Sequence, residues 1–294
     1  MSAFGYFGSK QRIAAKLKER LPPHNAWVDL FCGSAAMTLA KKPALIEVIN
    51  DINGDIVNFF RQLQNHTLKF KRLVYFTPYA RAELELAKKQ ESHISDIERA
   101  RRFFVTAMMS INGVFGKDSG GFSFTNSYSR NGMEARVSRW QGMPDHVEWV
   151  AKRLRSVRIE HMDAIELFKK FRNRPATLVY LDPPYLGKRA RGYDYDENTI
   201  DFHKRLLITV VNAKCMAFIS GYENELYDEI LTLQRGWTRE VIKTTTKGNN
   251  GKSFERTEVV WFNKPFLRAQ SQASIALRLT KMEARNRKIN PERA

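Results

Sequence analysis

Residues 26–51 read AWVDLFCGSAAMTLAKKPALIEVIND. The run 26–31 is apolar and of strand length. It breaks into small residues at Cys32-Gly33-Ser34-Ala35-Ala36, where a helix with the sequence MTLAKK starts. A second apolar run, 44–49, ends at Asn50-Asp51. Beyond it Ile52, Ile56, Phe59, Phe60 and Leu63 recur at helical spacing. Strand, tight loop, helix, strand, acid, helix is the order of a parallel nucleotide-binding half.

Upstream, 9–20 has helical spacing through Ile13, Ala14 and Leu17, and Pro22-Pro23 stops it. Downstream, 65–110 predicts helices over 81–90 and 94–110. Residues 112–145 are rich in Gly, Ser, Asn and Arg, which suits loops. A helix over 147–155 leads to a strand at 157–160, and α/β alternation resumes. Helices are expected at 163–171, 200–211 and 223–233, strands at 176–181, 215–220 and 256–262. Pro265 is expected to end the fold. The division is 1–64 (cofactor part of a catalytic domain), 65–156 (insert), 157–266 (rest of that domain) and 267–294. The last piece carries seven Lys/Arg against two Glu, and reads as helix or disorder.

The 49 Lys and Arg exceed the 31 Asp and Glu, leaving +18. Folding does not need that excess, and a polyanion is the natural partner. Cys32 and Cys215 form no C-x-x-C pair, which excludes zinc-finger spacing and a disulfide framework. A reduced, cytoplasmic compartment is expected, in a bacterial cell or a phage-infected one. No stretch reads as a signal core or membrane span. The six His form no metal-binding pattern, so no metal is expected.

Asp182-Pro183-Pro184-Tyr185 follows a buried strand, where open α/β sheets place their sites. The exocyclic amino group of a base is a poor nucleophile, its lone pair delocalised into the ring. Two acceptors, the Asp182 carboxylate and the Pro183 carbonyl, can hold its hydrogens and draw the nitrogen towards tetrahedral geometry. The prolines stiffen the turn so that both are pre-aimed. Tyr185 offers a face for a flipped base. An ordinary Asp-Pro turn is the plainer reading. By itself the motif leaves adenine, cytosine, RNA and protein glutamine open.

Other candidates cluster around this motif. In the first loop, small residues such as Gly33 and Ser34 admit a cofactor closely, and Asp29 suits a cationic amino group. One Gly excludes the G-x-G-x-x-G of a dinucleotide site. Asp51, about 20 residues after Asp29, suits ribose hydroxyls or caps the next helix. Tyr6 could stack on an adenine ring and Lys10 reach a carboxylate, or both belong to a loose start before a Ser cap. Asp163 could accept from an adenine amino group, or cap its helix. In the insert, Arg99, Arg101, Arg102, Lys117, Arg130, Arg136 and Arg139 interleave with Phe115, Phe122, Phe124, Tyr128 and Trp140. Such a mixture binds phosphates, and Ser123 and Asn126 are of types that read base edges. A solvated face with a satellite core is the alternative.

With these residues in hand, the sequence resembles the Dam-type DNA adenine methyltransferases. The resemblance covers residues 4–264 and rests on YFGSK, DLFCGSAA, the acid of INDIN, TPYAR at 77–81, NGVFG at 112–116, YLDPPY at 180–185, FISGYENELYDE at 218–229 and RTEVVWFN at 256–263. The stretch from Phe31 to Asp182 is half the chain, the order the family calls alpha. The resemblance implies a seven-stranded mixed sheet of the S-adenosylmethionine-dependent methyltransferase type, with a helical and loop target-recognition insert. It implies that Tyr6 lies against the cofactor adenine and that Lys10 reaches cofactor or substrate. Phe31 and Gly33 would line the methionine end with Asp29 nearby, Asp51 would hold the ribose and Asp163 mark the adenine end. Asp182 to Tyr185 would hold the target adenine of double-stranded DNA. Ala35 stands where relatives often have Gly, and Tyr6 where they often have Trp. A monomer is expected, with a dimer on DNA as the other arrangement. RNA adenine or protein glutamine methylation and a non-catalytic DNA-binding protein are the rival functions.

Overall fold

The computed structural model of the protein describes residues 2–5, 10–89, 91, 93–111, 120–125, 129–130, 132–186, 199–247, 253–275 and 285. After α1 (Gln11–Leu17) come β1 (Ala26–Asp29), α2 (Ala36–Ala40), β2 (Ile46–Asn50) and α3 (Gly54–Asn65), as the opening stretch predicts. The insert holds α4 (Thr67–Phe76), α5 (Arg81–Lys88), α6 (Asp96–Met109), a short ribbon of β3 (Ser129–Arg130) and β4 (Met133–Glu134), α7 (Ala135–Gln141) and α8 (Met143–Leu154). Alternation resumes with β5 (Val157–Glu160), α9 (Ala164–Phe171), β6 (Thr177–Leu181), α10 (Ile200–Val210), β7 (Met216–Gly221) and α11 (Glu225–Ile230). The antiparallel pair β8 (Trp237–Lys247) and β9 (Ser253–Asn263) precedes α12 (Lys264–Gln272).

One seven-stranded sheet runs β5-β2-β1-β6-β7-β9-β8. The first five strands are parallel, and β9 joins β7 antiparallel. This is the mixed sheet implied by the resemblance. From β1 the chain winds outward through β2 to β5, then returns to lay β6 on the other side of β1. The order therefore reverses between β1 and β6. The loops leaving these two strands diverge there and open a crevice at their carboxyl ends. They are the Gly33 loop and the Asp182 turn.

The insert shares a core with the first half. Phe4, Phe59, Phe60, Phe103 and Phe104 pack edge-on and stacked with Ile49, Val147 and Leu154 in one cluster. Phe59 and Phe104 lie 5.6 Å apart, nearly parallel. Aromatic pairs of this kind add about 1 kcal/mol beyond burial. On the other face, Leu167, Phe168, Leu206 and Leu207 cover Val28, Val179 and Ile219.

Two expectations are corrected. Residues 237–247, with no strand expected, form the long edge strand β8. Among its described side chains only Trp237 and Ile242 are buried, its composition (KTTTK at 243–247) looks like loop, and only pairing with β9 makes it a strand. Pro265 does not end the fold. It sits in the first turn of α12, where its missing N–H costs nothing. Asn263 caps that helix by accepting the Phe266 N–H at 3.0 Å, and Phe266 is fully buried.

Candidate active site

The loop after β1 is held by two side chains of the β2 end. Asn50 donates to the carbonyls of Leu30 and Met162, both at 3.0 Å, and accepts the Met162 N–H at 2.9 Å. It thereby ties the loops after β1 and β5 together. Asp51 accepts the N–H of Gly33 through Oδ2 and that of Asn53 through Oδ1, both at 2.9 Å. Burial lifts its carboxyl above the usual range, against these two hydrogen bonds. Asn53, not Asp51, caps α3, accepting the Asp55 N–H. The helix-cap alternative for Asp51 is thus wrong, and its bonds brace the Gly33 turn.

Gly33 and Ala35 both have left-handed backbones, with φ of 48° and 52°. Gly33 adopts this freely, whereas the Cβ of Ala35 costs about 1 kcal/mol. Ala35 is fully buried, so only a small residue fits there. Ser34 is buried and its carbonyl accepts the Ala3 N–H at 2.9 Å. The following Gly5 runs so close to α6 that a Cβ would lie 2.9 Å from the Ala107 carbonyl oxygen. Phe31 lies at the mouth of the loop, edge-on to Phe202.

Asp29 is buried at 1% exposure. Its Oδ2 accepts from Thr38 Oγ1 at 2.8 Å, and Thr38 in turn accepts from Trp27 Nε1. Its Oδ1 meets no partner among the described residues. Burial pushes this carboxyl up to about 7, Thr38 pulls it down, and the carboxylates of Asp182 and Asp51 push it further up. An orphaned, desolvated acceptor is what a cationic amino group would satisfy. Asp163 is exposed and caps α9, accepting the Glu166 N–H at 2.9 Å.

Asp182 follows β6 directly and is 17% exposed. Ser220 Oγ, on β7, donates to its Oδ1 at 3.1 Å and lies 2.9 Å from the Tyr180 hydroxyl. Lys10 Nζ sits 3.3 Å from the same oxygen and 3.7 Å from Glu258 Oε2. Lys10 also donates to the Tyr185 hydroxyl, which donates to Glu258 Oε2 at 2.9 Å. Tyr222 stands edge-on to the Tyr185 ring at 4.3 Å. Burial raises the Asp182 carboxyl to about 6. Lys10 opposes this, and Glu258 adds to it. Burial also holds the Tyr185 phenol well above its usual range, so it stays a donor at neutral pH.

A model of the D12 class N6 adenine-specific DNA methyltransferases matches residues 6–244. This chain belongs to that family. It is an S-adenosylmethionine-dependent DNA adenine methyltransferase, with S-adenosylmethionine as methyl donor. Among solved structures it is similar to the rRNA methyltransferase aviRa of Streptomyces viridochromogenes, at 15% identity over 90% of this chain and 89% of that one, TM-score 0.38. It is also similar to precorrin-6y C5,15-methyltransferase of Geobacter metallireducens, at 9% identity over 86% and 87%, TM-score 0.39.

Within this family member, Lys10, Asp29, Asp51 and Asp182 meet around the two loops, with Phe31, Gly33, Ser34 and Tyr185. Tyr6, Lys117 and Asn126 lie outside the described residues, and of Arg130 only the backbone, in β3, is described. In the insert, Arg136 and Arg139 are exposed. Arg99, also exposed, lies 3.2 Å from Asp55. Ser123 is corrected: it is 6% exposed, its N–H donates to the Met109 carbonyl, and its own carbonyl accepts from Tyr79. Arg101 and Arg102 are likewise not free basic groups. They are buried and paired with Glu98, with Glu83 on one and Glu91 on the other. Trp140 belongs to the core and donates to the Thr77 carbonyl.

Sequence reasoning missed Glu258, Ser220, Tyr180 and Tyr222 as site residues. The signal was present for two of them. Glu258 is an acid inside the apolar strand sequence TEVVWF, and Ser220 a hydroxyl ending an otherwise apolar run. Among the described residues no group of His, Cys, Asp and Glu could hold a metal ion, and no helix is long and apolar enough to cross a membrane.

Proposed function

We propose that the enzyme methylates the 6-amino nitrogen of an adenine extruded from double-stranded DNA within a particular sequence. The observation that carries this is the Asp182 carboxylate, held by Ser220 and Lys10 at the mouth of the β1/β6 crevice next to the orphaned Asp29. Asp182 is 17% exposed and hemmed in by Lys10, Ser220 and Tyr185, so a base would have to leave its stack to meet it, which supports extrusion. Asp182 and the Pro183 carbonyl accept the two amino hydrogens and localise the nitrogen lone pair. The bound S-adenosylmethionine supplies a methyl already activated on sulfur, so that a C–N bond forms as the C–S bond breaks and the electron pair stays on sulfur. The nitrogen's surplus proton passes to Asp182, whose partly exposed carboxylate returns it to water. Asp29 would hold the cofactor's amino group, and Asp51 and Asp163 lie along the β2 and β5 ends, where the ribose and adenine would run.

Target recognition falls to the insert, 65–156, whose exposed Arg136 and Arg139 meet phosphates or base edges. Tritiated S-adenosylmethionine offered with duplex DNA, single-stranded DNA, RNA and protein tests the substrate class. Long-read sequencing of DNA from expressing cells reports base and context. Label in duplex adenine at a recurring sequence is expected. Label confined to RNA or protein would overturn the reading.

A further inference from the structure

Glu258 reaches the site from β9, a strand beyond β7 that belongs to neither of the two loops forming the crevice. Its carboxylate is 12% exposed, and Lys10 between it and Asp182 is 8% exposed. One ammonium therefore serves two carboxylates in a poorly hydrated place. With Asp182 alone, Lys10 would make a one-to-one pair of the kind that dominates at low dielectric. That pair would neutralise the carboxylate that has to take an amino hydrogen. Glu258 divides the attraction and also fixes the Tyr185 hydroxyl at 2.9 Å. The ring beside the crevice is then clamped between Lys10, Glu258 and Tyr222.

We propose that Glu258 is a positioning residue for the methyl transfer: it shares the Lys10 ammonium with Asp182 and holds the Tyr185 hydroxyl towards β9, so that Asp182 is only partly neutralised and can still accept from the substrate amino group. This rests on the function proposed above. The groups that act on Asp182 are Lys10 before α1, Glu258 on β9, Ser220 on β7, Tyr180 on β6 and Tyr185 after it, Asp29 on β1 and Tyr227 on α11. The tyrosines titrate far above neutrality. Asp29, which also titrates near neutrality, takes its shift from burial, Thr38, Asp182, Asp51 and Lys41. Loss of the Glu258 charge thus reports on Asp182.

The test is the single-turnover rate against pH, with excess enzyme, tritiated S-adenosylmethionine and plasmid DNA from a host without adenine methylation. Glu258→Gln keeps an acceptor for Tyr185 and removes the charge. Its acid limb is expected to move down by about one pH unit, because Asp182 loses a neighbouring negative charge and gains more of Lys10. Its plateau rate is expected to fall about tenfold, the worth of one hydrogen bond denied to the amino group. Glu258→Ala should fall further, since it also releases Tyr185. Calorimetric binding of S-adenosylmethionine by each variant certifies the folded site. A Glu258→Gln profile superimposed on that of the wild type would overturn the proposal while leaving the function intact. A wild-type enzyme inert on DNA would instead overturn the function, and the proposal with it.

Discussion

Ser220 Oγ donates to Asp182 Oδ1 at 3.1 Å, joining two neighbouring parallel strands at their carboxyl ends. The hydrogen bond orients the carboxylate before any substrate arrives, and it favours the charged form. Ser220→Ala should therefore raise the Asp182 pKa from about 6 and move the acid limb of the pH–rate profile upward. Plateau activity should drop about threefold to tenfold. Glu258→Gln should move the same limb the other way, so the two variants read one carboxylate from opposite sides.

In the proposed mechanism Asp182→Ala removes one of the two acceptors that would localise the amino lone pair. Methyl transfer should fall at least about a thousandfold. Affinity for S-adenosylmethionine should stay within a few-fold, because Asp29, Asp51 and the Gly33 loop keep their bonds. Quenched-flow transfer and calorimetry measure the two. Near-normal turnover would remove Asp182 from the chemistry.

Asp29 gives a prediction about stability. Its folded pKa, about 7, lies above the ordinary carboxylate value of 3.8. The native state therefore binds the extra proton in that window, and stability falls as pH rises from about 4 to about 7. Asp29→Asn keeps an acceptor for Thr38 and carries no charge. It should be more stable than the wild type at pH 8, by on the order of 4 kcal/mol in urea melts, and equal to it near pH 4. The same variant should bind S-adenosylmethionine at least about tenfold more weakly, for want of a partner for its amino group.

The arginines of the insert divide into two kinds. Arg136 and Arg139 are exposed. Changing either to Ala should leave the melting temperature unchanged and lower the slope of log Kd for duplex DNA against log salt by about one. Arg101 is buried among Glu98, Glu83 and Thr77. Arg101→Ala strands Glu83, leaves Glu98 with Arg102 alone, and should cost about 3 kcal/mol of stability. A salt slope that ignored Arg136 and Arg139 would place the DNA elsewhere.

Much of this molecule was legible from local pattern. The β1–loop–β2 order, the later alternation and the strand before Asp182 are runs whose periodicity and flanking small residues admit few other folds. The acids Asp29, Asp51 and Asp182 stand where parallel strands end, so their convergence followed from the fold class. What escaped was set by partners distant in sequence. β8 is a strand because β9 pairs with it. Pro265 opens a helix because Asn263 caps that helix and Phe266 finds a core.

The sequence by itself determined that the chain carries a split parallel sheet, an Asp-Pro-Pro-Tyr turn at a strand end, and a basic surplus suited to a polyanion. Hydrophobic period and strand-end chemistry are local properties that survive without coordinates. Only the tertiary structure decided which of the candidate groups are committed. It spent Arg101, Arg102 and Ser123 on packing, turned Asp51 to bracing the Gly33 turn, left Asp29 Oδ1 without a partner among the described residues, and brought Glu258 from the far end of the chain against Lys10. The physical reason is that a charge buried in a low-dielectric interior takes its role from the groups within a few ångströms, and sequence distance says nothing about which groups those are.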